Sequence, residues 1–359
     1  MARSTKTAKT GGRISIIDFW RFFVSIMIVF RHTHLIGFFR IESHFYVEFF
    51  FILAGYFIFK HFQKPNFFRL NPSQKIKNAI QYTWQRYLKM LAYTIPVVAV
   101  SAIAYGVIFY IMRHYWLFDT KYILNIIIEP FMLPAQASPL GTRTISPLWY
   151  LSVMFFTMPA IVYIAQSKKC KDWLVFLMIP VSWIYIAVAA DIHKNNDIIS
   201  AVYIIRGVVP MLMGGALFYL ASNIKPDSYT KRARILFTVL EFLAYFASAA
   251  IALLGYWPSS AIIVLTFLAL LLSLSRLSLT TEINSKLWSF LGAISLPLFM
   301  WHFGVIRVVK IFNSWGVNRR MFVVIAGSIV ISIIHYLIVQ CVAAKKNNAL
   351  KLSSDKKSR

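Results

Sequence analysis

The sequence predicts an all-α, polytopic membrane protein of about ten transmembrane helices with both termini cytoplasmic. Three observations carry this. Of 359 residues, 59% are hydrophobic and 14% charged, with a mean hydropathy of +0.65. The apolar residues fall in runs of about 18 to 25, the length that crosses a hydrocarbon core, rather than at amphipathic spacing. Lys and Arg flank these runs and collect on alternate connections, the positive-inside pattern. A formal charge of +26 would suggest nucleic acid in a soluble chain. Its placement at the ends of apolar runs points to the membrane surface instead, and no nucleic-acid partner is expected.

Spans are expected at 14–36, 45–62, 88–112, 147–165, 173–190, 199–221, 234–255, 258–277, 288–309 and 321–343. The first is too long and too charged for a cleaved signal peptide and reads as a retained anchor. After the second, residues 64–89 hold Pro65, Pro72 and several cations, with 74–86 patterned as an interfacial amphipathic helix on the cytoplasmic face. Residues 113–146 form the longest outer loop. Its second half, 134–147, is rich in turn formers, which suits a lid or an acceptor-binding surface. Lys310, Arg319 and Arg320 fall outside on this count, against the general bias. A membrane domain at 14–343 is thus flanked by basic cytoplasmic tails at 1–13 and 344–359, polar enough to be disordered and to bind anionic lipid.

Chemistry is concentrated in the first span, which carries Asp18, Arg21, Arg31, His32 and His34. Ionisable groups at membrane depth cost at least a few kcal/mol unless paired or hydrated, so such a cluster marks a functional site by default. On a helix Arg21 and His32 lie about 16 Å apart along the axis and about 20° apart around it, on one face. Asp18 sits one turn before Arg21, where it can neutralise it. His32 can act as a general base toward a hydroxyl, or can be a histidine at headgroup level. His34 points roughly 160° away from it. Glu48, Arg206 and His302 fall in the outer halves of their spans and can converge with His32 on a polar cavity; alternatively, Glu48 and Arg206 pair between helices. Phe49, Phe50 and Phe51 read as packing residues, and Gly55 as a place of close helix approach.

Arg86 and Lys89, one turn apart, can hold a phosphate-bearing cosubstrate or serve as ordinary positive-inside anchors. Trp149 and Ser152, in the Pro147–Ser152 opening of the fourth span, are candidate substrate contacts; Trp149 and Tyr150 also suit an interfacial aromatic belt. The two cysteines, Cys170 and Cys341, match no metal or redox spacing. Walker, dinucleotide, Gly-x-Ser-x-Gly and His-Glu-x-x-His motifs are absent, so neither an ATP-driven pump nor a metal site is expected.

Six of these stretches, in order, resemble the signatures of the integral-membrane acyltransferase family 3, which includes bacterial O-acetyltransferases of O-antigens, exopolysaccharides and peptidoglycan. They are Ile17–Phe23 with Val29–His32; Tyr46–Phe57; Arg86–Lys89 with Pro96; Ser146–Val153; Arg206–Gly214; and Leu298–His302. The chain departs from the pattern at Lys89, where a second Arg is usual, at Ala54 for Ser, and at Met154, where many polysaccharide-modifying members have Glu. The resemblance implies transfer of an acyl group, most often acetyl, from cytoplasmic acyl-CoA to a hydroxyl of an extracytoplasmic or lipid-linked saccharide. Acetyl-CoA would be a cosubstrate held at Arg86 and Lys89. His32 would be the base or acyl carrier, Asp18 and Arg21 would order the inner path, and Arg206 or His302 would stabilise the oxyanion. No extracytoplasmic hydrolase-like domain is expected after the last span, so the resemblance implies action alone or with a partner protein. The rival reading is a secondary transporter or flippase for a glycan or small anion, whose buried charges line a substrate path.

Overall fold

The structure is a computed structural model and describes residues 14–37, 41–114, 120–131, 147–192, 199–255, 260–312 and 314–357. Among the described residues all regular structure is helical. The helices are α1 (Ser15–His32), α2 (Tyr46–Phe62), α3 (Pro65–Phe68), α4 (Pro72–Arg113), α5 (Thr120–Ile128), α6 (Leu148–Ala165), α7 (Cys170–Ile192), α8 (Ile199–Asn223), α9 (Lys231–Leu254), α10 (Ala261–Leu274), α11 (Lys286–Ile311) and α12 (Val317–Lys357). Each expected span falls on a helix. Among the described residues six helices are long and apolar enough to cross a bilayer, namely α4, α6, α8, α9, α11 and α12. α1 carries Asp18, Arg21 and Arg31 within its 18 residues, and α2 and α10 are short, at 17 and 14 residues.

Three expectations are corrected. The amphipathic stretch 74–86 and the third span form one helix, α4, of 42 residues, about 63 Å at ~1.5 Å per residue. Asn71 caps it through a reciprocal capping box with Gln74, Pro72 occupies its first turn, and no breaker separates Arg86 from the apolar residues that follow. The residues after α4 are not simply a loop: α5 and the turn Glu129–Phe131 pack back along it. Thr94 and Tyr87 donate to the carbonyls of Pro130 and Phe131 at 2.8 and 2.9 Å. The turn-rich stretch 134–147 lies outside the described residues except Pro147. The carboxyl-terminal tail is helical through Lys357, because Ala344 to Lys357 contains no Gly or Pro to stop α12. The amino-terminal tail, 1–13, lies outside the described residues.

The centre of the bundle is α1, α2, α8 and α11. α1 packs on α11 and α2 on α8, with α4, α6 and α12 closing one side and α9 and α10 another. Polar side chains in α1 bind it to its neighbours from within the apolar core. The Ser25 hydroxyl donates to the Ser295 carbonyl at 3.1 Å, and the Ser15 hydroxyl to that of Ile283. Trp20, fully buried, donates its indole N–H to Glu241 at 2.7 Å and stacks on Tyr245 at 3.7 Å. The Glu241 carboxylate also accepts from Ser273 at 2.7 Å and Thr280 at 2.9 Å, so a fully buried acid joins α1, α9 and α10.

α2 and α8 meet backbone to backbone. A Cβ on Gly55 would lie 2.0 Å from the Met211 carbonyl oxygen, and one on Gly214 2.1 Å from that of Ile52. Neither contact can be relieved by rotating a side chain, so both positions require glycine. Gly55→Val is expected to lower the melting temperature of the detergent-solubilised protein sharply or abolish folded yield, since overpacking a close contact costs ~1–3 kcal/mol or more. Gly316→Ala, where nothing lies within 4 Å, should leave melting unchanged in the same assay.

Candidate active site

The residues singled out on α1 keep the arrangement their spacing implies. Arg21 Nη1 is 3.3 Å from Asp18 Oδ1, and Asp18 is buried against Gly292 of α11. At the other end of α1, the half-buried His32 faces His302 of α11, ring centroids 5.2 Å apart. His302 is fully buried; its Nδ1 lies 3.3 Å from the Leu298 carbonyl and its Nε2 has no hydrogen-bond partner among the described residues. Phe303 packs edge-on against His32 at 5.8 Å. The neighbours are otherwise engaged. Arg31 reaches the Ile41 carbonyl and Glu42 at 3.2 Å each, and His34 Nδ1 lies 2.6 Å from the Arg31 carbonyl.

Glu48 and Arg206 form a pair of their own. Arg206 Nε and Nη2 both lie 2.7 Å from Glu48 Oε1, and Tyr185 donates to the same oxygen at 3.0 Å. Arg206 also donates to the His44 carbonyl at 3.3 Å and sits 4.8 Å over the ring of Trp149. Of the two arrangements the sequence leaves open, the structure has the pairing one: His32 faces His302, and Glu48 binds Arg206. Trp149 packs under a guanidinium, and Ser152 is buried in α6.

A cavity of about 330 Å³ lies between α1, α2, α4, α6 and α11. Arg86 and Lys89 line it from α4, Arg21 from α1, and Tyr150, Met154 and Met158 from α6; one face of α2, from Phe50 and Leu53 to Phe57 and Ile58, and Leu296 and Phe299 of α11 add to the wall. Arg86 and Lys89 sit 14 and 17 positions past Pro72, about 21 and 26 Å into α4 and just before its apolar run, so their place in the helix serves both readings. His61 and Phe62, at the end of α2, lie level with Tyr82, one turn before Arg86. Both cations are exposed and both line the cavity.

At the opposite end of that cavity three rings touch in pairs. Phe50, Tyr150 and Phe299 have centroids 5.5 to 6.1 Å apart, and Phe299 lies 6.1 Å from the His302 ring. From Arg86 and Lys89 the cavity wall runs to these rings; His302 and His32 are outside the lining, and His302 touches it through Phe299. Sequence reasoning missed the inward facing of Tyr150 and Phe299. For Tyr150, α6 is apolar nearly all round and its pattern marks no site-facing side; Phe299, one turn before His302 on α11, was a readable neighbour. The acid Glu241 was also missed, although a lone carboxylate inside an apolar run was a readable signal.

The ion pair is testable without a substrate. Removing one partner of a buried pair leaves an uncompensated charge, at a cost of ~3–5 kcal/mol. Glu48→Gln and Arg206→Met should each depress thermal stability, and the double variant should recover much of the loss. Strictly additive losses in this double-mutant cycle would contradict direct pairing.

No curated protein and no solved structure matches the chain. A family model does: the acyltransferase domain of acyltransferase family 3 matches residues 14–337, which hold every element described above from α1 through most of α12. The chain belongs to the acyltransferase family 3, and its helices make it a multi-pass membrane member of that family.

Proposed function

We propose that the protein is a membrane-embedded O-acyltransferase. It moves an acyl group, acetyl as the first expectation, from cytoplasmic acyl-CoA to a hydroxyl of an extracytoplasmic or lipid-linked saccharide. The observation that carries this reading is one cavity lined by Arg86 and Lys89 and by Phe299, whose ring lies against His302, itself paired with His32. Cations at the mouth suit the phosphates of CoA, with Lys89 acting as a point charge where an Arg would grip two oxygens. At about 330 Å³ the cavity is at the small end of the roughly 300–1,000 Å³ typical of ligand sites. That leaves room for the pantetheine arm and a short acyl group, with the nucleotide at the mouth. Membrane-spanning α1 and α11 would carry the histidines toward the outer face, with ten crossings and cytoplasmic termini in the inner membrane.

In this reading His32 deprotonates the arriving hydroxyl or takes the acyl group itself, and His302, with an unpartnered Nε2, stands between it and the cavity. Asp18 holds Arg21 at the wall, where its charge faces the donor's path. Glu48 and Arg206, engaged with each other and with Tyr185, hold the frame.

Acyl-CoA consumption by the purified protein with an envelope glycan fraction tests the reading. Wild type should release CoA thiol. His32→Ala, at equal folded yield, should lose ~10²-fold or more of that rate. Arg86→Ala with Lys89→Ala should raise KM for acyl-CoA about tenfold or more while sparing kcat, the signature of lost ground-state binding. A wild type that consumes no acyl-CoA yet moves a glycan across proteoliposomes would overturn the proposal in favour of transport.

A further inference from the structure

The ring collar at the inner end of the cavity contains one hydroxyl. Phe50 and Phe299 offer only hydrocarbon, whereas Tyr150 brings an O–H into the same contact. Tyr150 is 6% exposed, and its hydroxyl donates to the sulfur of Met154 at 3.6 Å. A thioether is a weak acceptor. Taking a hydroxyl out of water into apolar surroundings is unfavourable unless a good acceptor replaces the lost water, and a phenyl ring alone would fill the collar equally well. The geometry therefore leaves a poorly satisfied donor at the end of a cavity whose other end carries two cations, one turn of α11 below an imidazole.

We propose that Tyr150 is a catalytic residue, its hydroxyl donating to the carbonyl oxygen of the acyl thioester at the collar; this rests on the acyltransferase reading above. The acceptor oxygen bonds to the carbonyl carbon as its proton passes to an imidazole of the histidine pair. The C=O electron pair moves onto oxygen, where the Tyr150 O–H holds it. The double bond then re-forms, the C–S bond breaks, and the thiolate leaves with the proton returned by the imidazolium. The products are the ester and free CoA thiol, with no redox co-reactant. If the first nucleophile is an imidazole nitrogen, the carbonyl oxygen develops the same charge and meets the same donor. Arg206, an oxyanion candidate by sequence, is turned to Glu48, the His44 carbonyl and Trp149. His302 lies on the far side of Phe299 from the cavity.

The test is Tyr150→Phe in the full-length detergent-purified protein, which keeps the ring and deletes the donor. Thiol release should fall about 10²-fold in kcat, the usual loss for a single oxyanion donor. KM, and affinity for a non-reactive acyl-CoA thioether by calorimetry, should stay within about twofold of wild type, the split that marks an interaction made only in the transition state. A kcat close to wild type overturns the role, as does a raised KM with kcat intact, which would make Tyr150 a wall of the cavity only. A wild type that releases no thiol from any acyl-CoA overturns the acyltransferase reading and this role together, and that result is visible before any variant is made.

Discussion

A carboxylate and a guanidinium buried to 0% and 4% exposure hold this bundle in register. Neither Glu48 nor Arg206 can be left alone in an apolar interior, because an uncompensated charge there costs several kcal/mol. Each fixes the other, and with them α2 is fixed against α8. The same interface is closed two turns further along by Gly55 and Gly214, whose backbones touch the opposing helix. Between these constraints α2 has no freedom to rotate. Phe50, Leu53, Ala54, Phe57 and Ile58 are consequently presented to one cavity as a wall.

On the other side of that cavity, α1 and α11 run together in the same direction. Asp18 packs on Gly292, Ser25 bonds to Ser295 and His32 faces His302, so the two helices stay matched over their shared length. This pairing turns the spacing of α1 into function. Arg21 is delivered to the cavity wall and His32 beyond the ring collar, with about three turns of helix between them. An apolar lining with few polar groups keeps local screening low, which strengthens each remaining charge and hydrogen bond. For acyl transfer that environment also keeps water from a thioester.

Much of the fold was legible because membrane helices announce themselves by length and composition. Each expected span has its helix, and the polar residues of α1 share faces as a period of 3.6 requires. The Glu48–Arg206 pairing was one of two open alternatives, decided only when α2 and α8 were seen side by side. Arg86 and Lys89 were ambiguous for a physical reason: a cation near the start of an apolar run looks the same whether the helix begins there or four turns earlier. α4 runs back to Pro72 and puts both cations on the cavity wall at the start of its apolar run, a position that serves either reading. Tyr150 was invisible, since a helix apolar on nearly every side, as α6 is, carries no pattern to tell a lipid-facing ring from one that closes a cavity, whereas Phe299 lies one turn before His302 on α11 and could have been read from it.

The most direct measurement is a cryo-EM structure with a non-reactive thioether analogue of acyl-CoA. The account predicts phosphate density against Arg86 and Lys89, and the thioether sulfur at the Phe50, Tyr150 and Phe299 rings on the side away from His302. Analogue bound elsewhere, with this cavity empty, would contradict it.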